Sequence, residues 1–220
     1  MKAPLPPNEE RRLKTLYNLN LLDTLPEGEL DNLTQLAAEI CKAPIALISL
    51  VDEKRQWFKS KVGLSLAETD RDIAFCAHAI LRPGEILEIP DASIDERFSD
   101  NPLVKEHPNI RFYAGAPLVA SNGDPLGTLC VIDYMPRTLT DSQRTALDVL
   151  RILVIRQIEL RKSFTELEKS ELILTAKNTI LETRATEDAV CLELEVSRRI
   201  QDEKLSHRIL DMALDAVITV

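Results

Sequence analysis

The chain has 220 residues, enough for one domain of about 150 residues and a further segment. Its formal net charge of -9, with no basic stripe interleaved with aromatics, excludes a broad electrostatic grip on nucleic acid. Hydrophobic residues at 45% and charged residues at 29% are those of an ordinary globular protein, and no run reaches the roughly 18 apolar residues of a membrane span.

The first residues carry Pro4, Pro6 and Pro7 and then acids, which is no signal peptide, so a cytoplasmic location is expected. Glu9 to Asn20 reads as a lead-in helix. A second helix runs from about Glu29 to Lys42, with Leu30, Leu33, Leu36, Ala37 and Ile40 on one face and Pro44 ending it. Ile45 to Val51 is a near-continuous β run, the pattern of a strand covered on both faces. A polar turn at 52–54 leads into Arg55 to Ser60, which makes a hairpin.

Ala74 to Leu81 reads as a short helix closed by Pro83-Gly84, and Ile86 to Ile89 as a short strand. Asp91 to Asp100 is a polar segment opening on an Asx turn. Arg111 to Leu118 and Leu126 to Asp133 are two more strands, joined through Asn122-Gly123, a hairpin signal. The order predicts an α/β (α+β) fold: an antiparallel sheet with helices packed against it.

All twelve prolines and all six glycines lie at or before Arg137, so the chain changes character there. Thr140 with Gln143 forms a capping box that starts a long helix. Leu160, Leu167, Leu174 and Leu181 recur every seven residues, and Ala185, Ala189, Leu192 and Val196 continue in a shifted phase with a stutter between. Polar Glu171 and Asn178 weaken the first seam and would keep it switchable. A parallel homodimeric coiled coil is expected, since the leucines of a single helix would otherwise lie in water. Within Leu205 to Val220, a helix with Ile209, Met212 and Ala213 inward is expected to give way to a strand at 216–220.

Five stretches then resemble a GAF domain of bacterial signalling proteins, in the order such domains use. They are Pro44 to Asp52, Arg55 to Ser60, Phe75-Cys76-Ala77-His78-Ala79-Ile80, Arg111 to Leu118, and Gly127 to Asp133. The tail from Leu205 is similar to the opening of a PAS domain. The resemblance implies a lead-in at 1–20, a GAF-like domain at 21–160, a coiled-coil signalling helix at 161–204 and a truncated PAS-like start at 205–220. It implies helices on one face of the sheet forming a dimer surface and a small-molecule pocket on the other. In such families an output module follows in the same chain, commonly a two-component histidine kinase or a diguanylate cyclase. Neither a kinase nucleotide motif, a GGDEF-type sequence nor a Walker loop is present here.

Trp57, Phe58, Cys76, His78, Phe112, Tyr113 and Cys130 are the candidate ligand-binding residues; core packing accounts for the aromatics equally well. Some GAF domains attach a bilin to a cysteine followed directly by histidine, but here Ala77 intervenes, and residues two apart on a helix point to different sides. Haem with His78 or His107 as axial ligand lacks a second supporting feature. No cofactor is therefore assigned. Cys41, Cys76, Cys130 and Cys191 form no CxxC pair and match no zinc spacing; Cys41, Cys76 and Cys130 sit in apolar stretches, where reduced, buried thiols are expected. Asp52, Asp91, Asp95 and Asp133 stand at strand ends or turns, where backbone bonding alone favours Asp. No metal site or catalytic residue is assigned.

Three readings follow. The leading one is a non-catalytic sensory module that binds a small ligand or partner and signals through a dimeric helix to a downstream PAS and output domain. The second is a structural dimerisation module with a filled core. The third is a cysteine-based redox enzyme like the GAF-fold methionine sulfoxide reductase, in which Cys76 and Cys130 would approach, although neither has a basic neighbour.

Overall fold

The computed structural model describes the backbone of residues 2–218, and the side chains there except those of 185–187 and 207–218. It comprises two compact units, Met1–Phe164 and Thr165–Val220. In the first, β1 (Ile45–Val51), β2 (Arg55–Val62), β3 (Glu68–Asp70), β4 (Leu87–Ile89), β5 (Phe112–Val119) and β6 (Pro125–Asp133) make one sheet. The order is β3-β2-β1-β6-β5-β4, antiparallel at every pairing. Helices α1 (Glu9–Asn18), α2 (Gly28–Cys41), α3 (Phe75–Ala79), α4 (Pro102–Lys105) and α5 (Asp141–Ile218) complete the order.

Every residue of β1 is buried, because each face of the sheet has its own cover. Ala46, Ile48 and Leu50 pack with Leu16 of α1, Leu30 and Ala37 of α2, and Leu147, Leu150, Val154 and Ile158 of α5. Ile45, Leu47 and Val51 pack on the opposite side with Phe75, Ile80, Phe98 and Tyr113. The period of two along the strands thus sorts one apolar run into two cores.

Helix α2 is rotated from the expected face. Its buried residues are Leu30, Thr34, Ala37, Ala38 and Cys41, while Leu36 and Ile40 are exposed at 43% and 36%. Two alanines let the helix approach the sheet closely, and the Thr34 hydroxyl satisfies itself on the Leu30 carbonyl at 2.9 Å. Helix α1 is held by charge as well: Glu9 Oε1 lies 2.7 Å from Arg12 and 2.6 Å from Arg71, both arginines being buried. Burial pushes the Glu9 carboxyl up, but bonds from Arg12 and Arg71 outweigh it and lower its pKa to about 2.

The β5–β6 turn has Gly123 at φ 87°, the left-handed region that glycine enters without steric cost. The capping box at the start of α5 forms as expected: the Gln143 amide N–H donates to Thr140 Oγ1 at 3.3 Å, and the Thr140 N–H donates to Gln143 Oε1 at 3.0 Å.

In the second unit the described side chains are all exposed, among them Leu167, Leu174, Leu181, Leu192 and Val196 at 50–64%. The strand expected at 216–220 is not formed at 216–218, which continue α5. With no glycine or proline after Arg137, nothing in the chain ends the helix before that point. Thr219 and Val220, and the inward face expected for Ile209, Met212 and Ala213, lie outside the described residues. No helix among the described residues is long and apolar enough to cross a membrane.

Candidate functional site

Beneath α3 the sheet presents a polar cluster in an apolar wall. Ser49 and Thr128 are directly paired across β1 and β6, and Leu47 and Cys130 form the next pair on the same face. The three hydroxyls of Ser49, Thr128 and Tyr113 converge on Cys76 Sγ at 3.0, 2.9 and 3.3 Å. Tyr113 reaches the sulfur because position 115 is glycine: a Cβ there would collide with the phenol hydroxyl. Phe75 stacks on Phe98 with centroids 4.1 Å apart and tilts onto Tyr113 at 5.1 Å, closing the cluster from above.

Burial alone would push the Cys76 thiol up. Hydrogen bonds from Cys130, Ser49, Thr128 and Tyr113 outweigh it and lower its pKa to about 7. Cys130 moves the other way, raised well above its ordinary value by its bond to Cys76 and by burial. Tyr113 is also raised, by burial and the neighbouring thiols. The two sulfurs are therefore differentiated: Cys76 is the better anion and Cys130 the better proton holder.

The candidate residues divide between the two faces. Phe58, Cys76, Tyr113 and Cys130 come together in the core under α3. Trp57 lies in the opposite core, as does Phe112, with the Arg137 guanidinium 4.8 Å from its ring centroid. They are neighbours in sequence of Phe58 and Tyr113, and strand alternation sends them to the face covered by α1, α2 and α5. His78 leaves the cluster as the spacing predicts: its ring packs edge-on against Phe98 at 4.8 Å. Ser49 and Thr128 were not among the candidates. Their signal is a hydroxyl residue within each of two otherwise apolar strands, with Thr128 two positions before Cys130.

A cavity of about 30 Å³ adjoins the cluster, lined by Phe75, Cys76 and Tyr113 with Leu64, Leu103 and Ile110. It has room for a water or a molecule of similar size, not a metabolite. A cleft of about 480 Å³ opens instead where α3 meets β4, lined by His78, Arg82, Glu85, Glu88 and Arg97. A third, open groove of about 570 Å³ runs along Tyr17, Asp52, Arg55 and Glu68. Within it Tyr17 donates to Asp52 at 2.7 Å, and Arg55 pairs with Asp52 and Glu68 as well as with Asp23. Each aspartate weighed for cation chemistry accepts a nearby backbone N–H: Asp52 from Glu53, Asp91 from Ser93, Asp95 from Arg97 and Asp133 from Met135.

The chain matches the GAF domain family over residues 26–158. A cyclic di-GMP phosphodiesterase of Pseudomonas aeruginosa is 41% identical over 161 residues, covering 73% of this chain and 27% of that protein. The chain therefore spans little more than a quarter of that relative. Among solved structures, a bacteriophytochrome from R. palustris has TM-score 0.54 at 16% identity, over 80% of this chain and 43% of that one. The GAF domain of a phosphoenolpyruvate-protein phosphotransferase from Coxiella burnetii has TM-score 0.52 at 16% identity, over 72% and 99%. A free methionine-R-sulfoxide reductase from Thermoplasma acidophilum has TM-score 0.50 at 13% identity, over 60% and 90%. At these identities the likeness is one of fold. With the family match spanning residues 26–158 and the six-stranded sheet carrying helices on both faces, the chain belongs to the GAF domain family.

Proposed function

We propose that this chain is a sensory and regulatory GAF module, itself non-catalytic, that pairs with a second copy through residues 161–204. The observation that carries this is the exposed row of Leu160, Leu167, Leu174 and Leu181, each 52–62% exposed at seven-residue spacing. A helix this exposed is marginal alone, and a second copy supplies the matching seam at every leucine. Glu171 and Asn178 break the seam at spaced positions and leave the pair able to change its packing. The proposed output lies beyond, through the PAS-like segment at 205–220, in a longer protein. The phosphodiesterase relative supports an output that acts on a cyclic dinucleotide, in place of the histidine kinase or diguanylate cyclase implied by the resemblance. A small ligand or partner segment is proposed to bind the 480 Å³ cleft at His78, Arg82 and Arg97, whose volume suits a metabolite.

One observation favours a second reading, a ligand-free dimerisation module: the cavity in the core under α3 measures only about 30 Å³. Native mass spectrometry of the chain, beside a Leu167→Glu/Leu174→Glu variant, tests both. The expected result is a dimer that the double substitution weakens about 100-fold or more, since it buries charges in an apolar seam. A chain that is monomeric before substitution ends the pairing proposal. Non-covalent mass released on denaturation supports the ligand reading, and a dimer without it supports the scaffold reading.

A further inference from the structure

We propose that Cys76 and Cys130 form a redox couple, in which a small hydroperoxide oxidises the Cys76 sulfur and Cys130 closes a disulfide onto it. Four features of the geometry carry this. Three hydroxyls are aimed at one sulfur at 2.9–3.3 Å, the arrangement that stabilises negative charge on it. A second thiol, Cys130, shares the core under α3 with Cys76, two positions along β6 from Thr128 on the same face. Gly115 clears the space that brings the Tyr113 hydroxyl into place. The adjoining cavity, at about 30 Å³, admits an oxidant scarcely larger than water and excludes a sulfoxide amino acid. A sulfoxide-reducing enzyme needs more room than this: here the oxidant is a signal, and the thiols are its receiver.

The chemistry balances with hydrogen peroxide as the oxidant. The Cys76 thiolate attacks one peroxide oxygen; an S–O bond forms, the O–O bond breaks, and the departing hydroxide takes a proton to leave as water. Cys76 is then a sulfenic acid, its sulfur oxidised by two electrons. The Cys130 sulfur attacks the Cys76 sulfur, an S–S bond forms, and the S–O bond breaks. The leaving hydroxide takes the Cys130 proton and departs as a second water. Reduction by a cellular dithiol returns both thiols. The lowered pKa of Cys76 supports its role as attacking sulfur, and the raised pKa of Cys130 its role as resolving thiol. Oxidation also takes the shared acceptor from Ser49, Thr128 and Tyr113, so a change at one sulfur reaches β1, β5 and β6 together.

The biological meaning rests on the sensory reading, but the chemistry is read on this chain alone. Its failure is therefore separable from a failure of dimerisation or output. Cys41 supplies an internal reference: it is as buried as Cys76, at 1% exposure, and burial pushes its thiol up against the smaller opposing pull of the Arg137 charge. The chain carrying Cys191→Ser, which removes the exposed thiol, is treated with equimolar hydrogen peroxide. It is then alkylated in denaturant and mapped without reductant. The expected product is a peptide linking Cys76 to Cys130, with the intact mass lower by two hydrogens. Cys76 is expected to be consumed about tenfold faster than Cys41. Adding Cys130→Ser should leave a sulfenic acid at Cys76 that takes dimedone, and adding Cys76→Ser should abolish both signals. Full alkylation of Cys76 and Cys130 after peroxide overturns the proposal. So does oxidation of Cys41 at the same rate, since access would then come from unfolding.

Discussion

Leu147 and Leu172 lie on the same helix and meet opposite surroundings: one is 0% exposed and the other 72%. Leu147 belongs to the apolar core over the sheet, where α5 is one layer of a packed domain. Leu172 lies where all described side chains are exposed and the helix is supported by local bonds, such as that from Thr175 Oγ1 to the Glu171 carbonyl at 2.9 Å. The difference teaches where stability comes from: propensity draws the helix, but only burial makes it pay in free energy. Leu147→Ala should therefore cost about 4 kcal/mol of unfolding free energy, the loss of a fully buried leucine with a cavity left behind. Leu172→Ala should stay within about 0.5 kcal/mol. Trp57, the single tryptophan, sits in the same core as Leu147 and reports the domain transition by fluorescence. If both substitutions moved that transition alike, the two regions would be one cooperative unit and the comparison would fail.

Charge draws the same contrast. The described acids and bases of the second region lie in water, where an ion pair contributes about 0–1 kcal/mol. In the first, Glu9 holds two buried guanidinium groups, those of Arg12 and Arg71. Glu9→Gln leaves both without their carboxylate and should cost about 3 kcal/mol. The pH dependence has a fixed sign. The Glu9 carboxyl is lowered from 4.5 to about 2 in the fold, so its contribution is complete above pH 4.5 and is lost as pH falls toward 2. Urea unfolding followed through Trp57 from pH 6 down to pH 2.5 should show the wild-type chain losing stability more steeply than Glu9→Gln. Parallel curves would mean that other carboxylates govern acid unfolding.

The sheet was legible in the sequence because its signals are local. Ile45 to Val51 declares a two-faced strand, and Asn122-Gly123 declares the turn between β5 and β6. Strand β3 and helix α4 were not legible: three and four residues are too few for a period to show. The α2 face was misread because a period of 3.6 admits neighbouring stripes, and the sheet selects the one with small Ala37 and Ala38. The site was half legible. Cys76, Tyr113 and Cys130 were singled out from their motifs, but the hydroxyls of Ser49 and Thr128 join them only through strand pairing across 79 residues. Trp57 and Phe112 show the converse, since residues adjacent in the chain to site residues occupy the other face of the sheet.

A smaller loss than at Leu147 or Glu9 is expected at Thr140, and it tests whether the start of α5 belongs to the packed region alone. The capping box satisfies one N–H at Gln143 and one at Thr140, at the point where the helix leaves the last turn of the domain. Thr140→Ala removes the acceptor for the Gln143 N–H and should cost about 1 kcal/mol. The loss should appear in the Trp57 transition, because Leu147 and Leu150 dock only when the first turns are wound. Helical ellipticity from residues beyond 164 should be unchanged, since a cap acts within its own first turn. A drop in total helix content larger than the domain accounts for would show that the long helix is nucleated at Thr140. The exposed half would then depend on the packed half for its existence, and not merely for its position in the chain.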